Sequence, residues 1–130
     1  MKILTVEDDP HFRDALVLTL REFGHTVIWA ATGRAAVLLA TSEKPDVVLL
    51  DIDLPDITGY EVARQLPRGL PLIILSGTDA DQIRHDAVSF ENAIEGAILI
   101  LGKPVNASEL ATALAELGRV GEREEPDVDG

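Results

Sequence analysis

The chain has no cysteine, only 11 basic residues against 23 acidic ones, and no long hydrophobic run. The missing cysteine excludes a disulfide scaffold, a thiolate zinc site and a cysteine nucleophile. The shortage of positive charge leaves a formal net charge of −12. That sign argues against direct binding to nucleic acid or to an anionic membrane, and suits a protein that holds cations or meets basic partners. No apolar stretch reaches the roughly 18 residues that a transmembrane helix needs. The N-terminal MKILTVEDDP lacks the apolar core of a signal peptide. These absences predict a soluble, cytoplasmic protein. With 130 residues, 46% of them hydrophobic and 26% charged, the chain has the size and composition of one globular domain. Wholesale disorder does not fit that composition.

What is present is a set of five short apolar runs: Ile3 to Val6, Thr26 to Trp29, Val47 to Leu50, Leu72 to Leu75 and Ala97 to Leu101. Three of them (VVLL, LIIL, AILIL) are apolar throughout and read as strands covered on both faces, as in a parallel sheet. Helical patterns alternate with them. Asp9 as N-cap, Pro10 at the first helical position and Gly24 as stop bracket the first helix, with Phe12, Leu16, Leu20 and Phe23 on one stripe. The second runs from about Gly33 to Thr41, before Pro45. The third follows Thr58, includes Tyr60, Val62, Ala63 and Leu66, and stops at Pro67. The fourth lies between Asp79 and Glu95, with Ile83, Ala87, Phe90 and Ile94 as its stripe. The fifth opens with a capping-box pattern, Asn106 and Glu109, and stops at Gly118. Five alternations predict an α/β fold, a doubly wound five-stranded parallel sheet with five helices. The domain is expected over residues 1–118. Residues 119–130, ending in GEREEPDVDG, read as an acidic, disordered tail.

In open parallel sheets, ligands bind at the carboxyl ends of the strands. The residues just after the apolar runs are therefore the informative ones: Glu7, Asp8 and Asp9; Asp51 and Asp53; Ser76; and Gly102, Lys103 and Pro104. Three carboxylates, Glu7, Asp8 and Asp51, would converge at one edge, which is unfavourable unless a cation neutralises them. An all-oxygen set of this kind suits Mg²⁺. A lysine and a hydroxyl at the same edge would hold phosphoryl oxygens, and a carboxylate can serve as the phosphoryl-accepting nucleophile. Each residue alone has a plainer reading as a cap, turn or surface charge, and Asp9 is assigned to capping outright. The joint placement of the others is what points to chemistry. His11, His25 and His85 show no ligand spacing.

The segments ILTVEDDP, VVLLDIDLPDITGYEVARQL, PLIILSG and GKPV resemble the receiver domain of two-component response regulators, over residues 3 to about 118. The resemblance implies a flavodoxin-like fold with strand order 2-1-3-4-5, a class for which a receiver is itself a standard illustration. It implies that Asp51 is the phosphoacceptor, taking a phosphoryl group from a sensor histidine kinase or phosphotransfer protein. Glu7, Asp8, Asp51 and the backbone carbonyl of Asp53 would hold Mg²⁺ or Mn²⁺. Lys103 and Ser76 would contact phosphoryl oxygens, Gly77 would leave room for the phosphodonor, and the Lys103–Pro104 bond would be cis. Autodephosphorylation would be its only hydrolytic chemistry. Output would run through protein contact with a downstream target, as a monomer or weak homodimer, with no direct role for nucleic acid or membrane.

Two departures from the family pattern stand out. Ile100 occupies the position, three before the lysine, where many receivers carry a switch aromatic. The stretch from Ser76 to Gly96 is also about five residues longer than is typical, which predicts a rebuilt fourth helix. Phe90 or the AILIL run is then a candidate for a nonstandard partner face. Rival readings are a haloacid-dehalogenase-like phosphatase and a receiver-like binding module with atypical readout. The phosphatase is disfavoured because its acid pair follows the nucleophile strand, whereas Glu7 and Asp8 precede Asp51, and because Pro55 stands where Thr or Val is expected. A dinucleotide-binding domain lacks its GxGxxG. With no effector domain after residue 118, a complete chain would be a stand-alone receiver, and the start at Met1 directly before the first strand favours a natural N-terminus.

Overall fold

The computed structural model describes residues 1–77, 85 and 98–124. Five strands form one sheet: β1 (Lys2–Val6), β2 (Thr26–Ala30), β3 (Val47–Asp51), β4 (Leu72–Ser76) and β5 (Ile98–Gly102). Their order is β2-β1-β3-β4-β5, and every pairing is parallel. The helices among the described residues are α1 (Pro10–Glu22), α2 (Gly33–Glu43), α3 (Gly59–Gln65) and α4 (Ala107–Glu124). The flavodoxin-like order expected from the sequence is therefore in place. Of the helix expected between Asp79 and Glu95, only His85 is described, and it is helical; the rest, Phe90 included, lies outside the described residues, as do residues 125–130.

The period-two alternation of each strand divides the core into two layers. Ile3, Leu49, Ile73 and Leu75 point to one face and pack under Leu16 and Leu20 of α1 and Leu110 and Leu114 of α4. Leu4, Val6, Val48, Leu50 and Ile74 point to the other, against Ala36 and Ala40 of α2 and Val62 and Ala63 of α3. The small α2 and α3 side chains let those helices lie close to the sheet. Burying each large aliphatic side chain contributes about 1.5–3 kcal/mol, so both layers hold the strand ends in fixed register.

Local signals set the helix starts. Asp9 accepts from the backbone N–H groups of His11 and Phe12, and Pro10 follows at the first helical position. Gly24, with φ of 91°, takes the left-handed turn after α1. Thr32 and Thr58 cap α2 and α3. At α4, the Glu109 N–H donates to Asn106 Oδ1 at 2.7 Å, and Asn106 Nδ2 donates to Glu109 Oε1 at 2.7 Å. The box closes through the two side chains.

Three expectations need correction. The α1 stripe holds Phe12, half-buried, with Leu16 and Leu20 and adds Val17, but Phe23 is 40% exposed and leaves it. Phe23 caps the helix, and the chain turns away from the core there. β5 is half-buried throughout and not covered on both faces, because it is the last strand of the sheet. Gly118 does not stop the last helix, which runs on to Glu124. One helical glycine costs about 1 kcal/mol relative to alanine, too little to end a helix anchored by buried Leu114 and Leu117.

Candidate functional site

The parallel register brings the carboxyl ends of β1, β3, β4 and β5 to one edge. Val6 pairs with Leu50, Asp51 with Leu75, and Ser76 with Gly102. The backbone continues this alignment past the strands. The Glu7 N–H donates to the Ala30 carbonyl at 3.0 Å, Ile52 N–H to Leu75 at 3.2 Å, and Lys103 N–H to Ser76 at 2.7 Å. The Lys103–Pro104 peptide bond is cis, as expected.

Glu7, Asp8 and Asp51 converge as read from the sequence, with ligand oxygens within 4.8 Å of one another. Their environments differ. Glu7 is 1% exposed and Asp51 3%, whereas Asp8 is exposed. Lys103 Nζ sits between the two buried acids, 3.1 Å from Glu7 Oε2 and 3.1 Å from Asp51 Oδ1. Burial pushes the Glu7 carboxyl up to about 7, and the Asp51 charge adds to this; the Asp9 N–H and Lys103 pull it only part of the way back. Burial pulls the Lys103 ammonium down, but its hydrogen bonds and charge contacts with Glu7 and Asp51 outweigh that and leave its pKa raised. One ammonium therefore serves two buried carboxyls and leaves the cluster short of positive charge. The donor set is all oxygen and holds a fully buried acid, which fits a hard divalent cation, Mg²⁺ or Mn²⁺.

The other expected residues lie at the same edge. Ser76 is fully buried at the end of β4. Gly77 is exposed, and among the described residues nothing lies within 4 Å of a Cβ built on it. Asp53 is exposed, and its N–H donates to Asp51 Oδ1 at 3.2 Å.

Three contributors escaped the sequence reading. Phe12 presents its ring 4.8 Å from Lys103 Nζ. Arg13 stacks 4.0 Å from the Trp29 ring centroid and donates from Nη1 to the Glu7 carbonyl at 3.4 Å. Asp56 accepts from the backbone N–H groups of Gly33 at 2.9 Å and Arg34 at 3.0 Å. It ties the loop after Asp51 to the start of α2. Burial pushes the Asp56 carboxyl up, but the N–H groups of Gly33, Arg34, Ile57 and Asp56 itself outweigh it and hold the pKa below the usual value. Helical spacing put Phe12 on the apolar stripe of α1 but gave no sign of its contact with Lys103. No local pattern announces a cap that arrives from 23 residues away.

The model of the response regulator receiver domain matches residues 3–115. The chain belongs to the response regulator receiver family. This receiver is 37% identical over 128 residues to the transcriptional regulatory protein AfsQ1 of Streptomyces coelicolor, a match over 96% of this chain and 54% of that protein. It is 37% identical to protein PilH of Pseudomonas aeruginosa over 114 residues, 84% of this chain and 90% of PilH. The chain thus spans about half the length of AfsQ1 and most of PilH. Among solved structures, it resembles the receiver domain of the sensor histidine kinase PA1611 from Pseudomonas aeruginosa, which has a magnesium ion coordinated in its active-site cleft. The TM-score is 0.75 at 29% identity, over 90% of this chain and 97% of that one. A CheY-like receiver from Methanospirillum hungatei gives a TM-score of 0.80 at 28% identity, over 94% and 97% of the two chains. Family membership and the order of the acids along the chain set aside the dehalogenase-like phosphatase.

Proposed function

We propose that this receiver is a divalent-cation-dependent switch phosphorylated on Asp51 by a sensor histidine kinase or phosphotransfer protein. The observation that carries the proposal is the buried cluster of Glu7, Asp51 and Lys103, with exposed Asp8 completing a cation-sized set of oxygens. Glu7, Asp8, Asp51 and the Asp53 carbonyl would hold Mg²⁺ or Mn²⁺, which when bound offsets negative charge at the phosphoryl group. Lys103 and the Asp53 N–H engage Asp51 Oδ1, so Oδ2 is the attacking oxygen. The Oδ2–P bond forms as the donor's N–P bond breaks, and the departing imidazole nitrogen keeps the electron pair. Lys103 and Ser76 then meet the transferred oxygens. In autodephosphorylation water attacks the phosphorus, the O–P bond breaks, and carboxylate and inorganic phosphate result.

Lys103 and Ser76 extend from neighbouring strand ends, so a phosphoryl group between them draws on both β4 and β5. The output is protein contact in the cytoplasm by a monomer or weak homodimer, without direct nucleic-acid or membrane binding. A second reading, atypical readout, is favoured by Ile100. It pairs with Ile74 and packs half-buried on the α2/α3 layer, an aliphatic side chain with no hydroxyl or ring to reorient. The proposal is tested with acetyl phosphate and Mg²⁺ followed by intact mass. One phosphoryl adduct is expected, lost in Asp51→Asn and in EDTA. An equal adduct in Asp51→Asn contradicts it.

A further inference from the structure

We infer that Phe12 is a positioning residue for phosphoryl transfer, holding the Lys103 ammonium over its ring; this deepens, and rests on, the phosphoacceptor reading of Asp51. Phe12 lies on α1, half-buried against the layer shared with α4. Lys103 Nζ is 4.8 Å from its ring centroid, inside the roughly 6 Å range of a cation–π contact. The same nitrogen is 3.1 Å from Glu7 Oε2 and 3.1 Å from Asp51 Oδ1. The ammonium therefore faces two carboxylates and one aromatic surface.

These contacts respond differently to the reaction. The carboxylate contacts weaken when a cation offsets the acids, or when Asp51 carries a phosphoryl group. The ring attracts a cation through its quadrupole and accepts no localised hydrogen bond. Its pull does not depend on the charge state of Glu7 or Asp51. Lys103 can therefore turn from Glu7 toward a phosphoryl oxygen while it stays over the ring. The ring thereby restrains the end of a flexible four-carbon stem, 25% exposed, through that exchange.

Packing alone does not ask for an aromatic here. Phe12 borders a cleft of about 70 Å³ with Ala15, Leu16, Val105 and Leu110. A leucine would keep the apolar contact with α1 and α4 but offer no π face. Tyrosine keeps the face. These two substitutions separate positioning from packing.

The test compares the wild type, Phe12→Leu and Phe12→Tyr for the initial rate of adduct formation from acetyl phosphate and Mg²⁺. Thermal midpoints are measured alongside. Phe12→Leu should slow the reaction about three- to tenfold, and Phe12→Tyr should restore most of it. A Phe12→Leu rate equal to wild type, or a Phe12→Tyr rate as low as Phe12→Leu, overturns the inference. A second readout needs no phosphorylation. The chain has three lysines, Lys2, Lys44 and Lys103, and the Lys103 Hε protons should be shifted upfield by the ring current in wild type. The shift should persist in Phe12→Tyr and vanish in Phe12→Leu. Lys103 protons that resonate with the other two lysines in wild type overturn the contact. A wild type that takes no phosphoryl group while the ring-current shift is present would sink the Asp51 reading and sustain the contact.

Discussion

Glu7 concentrates the electrostatic demand of the site in one side chain. It is buried beside Asp51, and one ammonium serves both. In metal-free protein its pKa rises from 4.5 to about 7, chiefly through burial. A carboxyl whose folded pKa is raised contributes stability that is complete below the unfolded value and lost as pH rises through the folded one. Metal-free protein in EDTA should therefore lose stability between pH 5 and 8, by about 1–3 kcal/mol from this group. Glu7→Gln should flatten that slope. Denaturant titrations at pH 5 and 8 check it, and an unchanged slope in Glu7→Gln would contradict it.

At the scale of elements, the loop between β3 and α3 carries Asp53 and is fastened at two points. Asp56 reaches the first N–H groups of α2. Gly59 opens α3 so close to the loop that an added Cβ would lie 2.9 Å from Ile52 Cα. Backbone that close cannot step aside cheaply. Gly59→Ala should destabilise the fold by about 1–3 kcal/mol and slow adduct formation, read by urea unfolding and intact mass. Asp56→Ala should speed hydrogen exchange at the Gly33 and Arg34 amides and lower the unfolding midpoint at pH 7. The Asp56 pKa is depressed, so its contribution is present above the unfolded value near 3.8 and lost as pH falls through the folded one. The gap between wild type and Asp56→Ala should close toward pH 2. A gap that persists there would point to packing instead.

The molecule as a whole couples its sheet to its charge. Five strands end at one edge, where acids gather, so a bound cation should stabilise the entire fold. Mg²⁺ at about 100 times its Kd adds about 2.7 kcal/mol. It should raise the thermal midpoint of wild type and leave Asp8→Asn nearly unmoved; an equal rise in both would contradict the site. Much of this architecture was legible in the chain. Runs such as VVLL and LIIL read as buried strands, and acids placed after them fall at the ligand-binding edge. Features that depend on distant partners were not legible. Asp56 caps a helix 23 residues away, Phe12 meets Lys103 only after the sheet forms, and β5 is half-buried because of its place in the sheet. Gly118 misled because a local helix breaker is weak against buried leucines on the same helix. The central claim is that Asp51 receives the phosphoryl group, and chemical trapping tests it most directly. Protein treated with acetyl phosphate and Mg²⁺ is reduced with borohydride, which converts an aspartyl phosphate to homoserine, and the peptides are mapped by mass. Homoserine at position 51 is the predicted result; homoserine at Asp8, Asp53 or any other aspartate, with position 51 unchanged, would contradict the account.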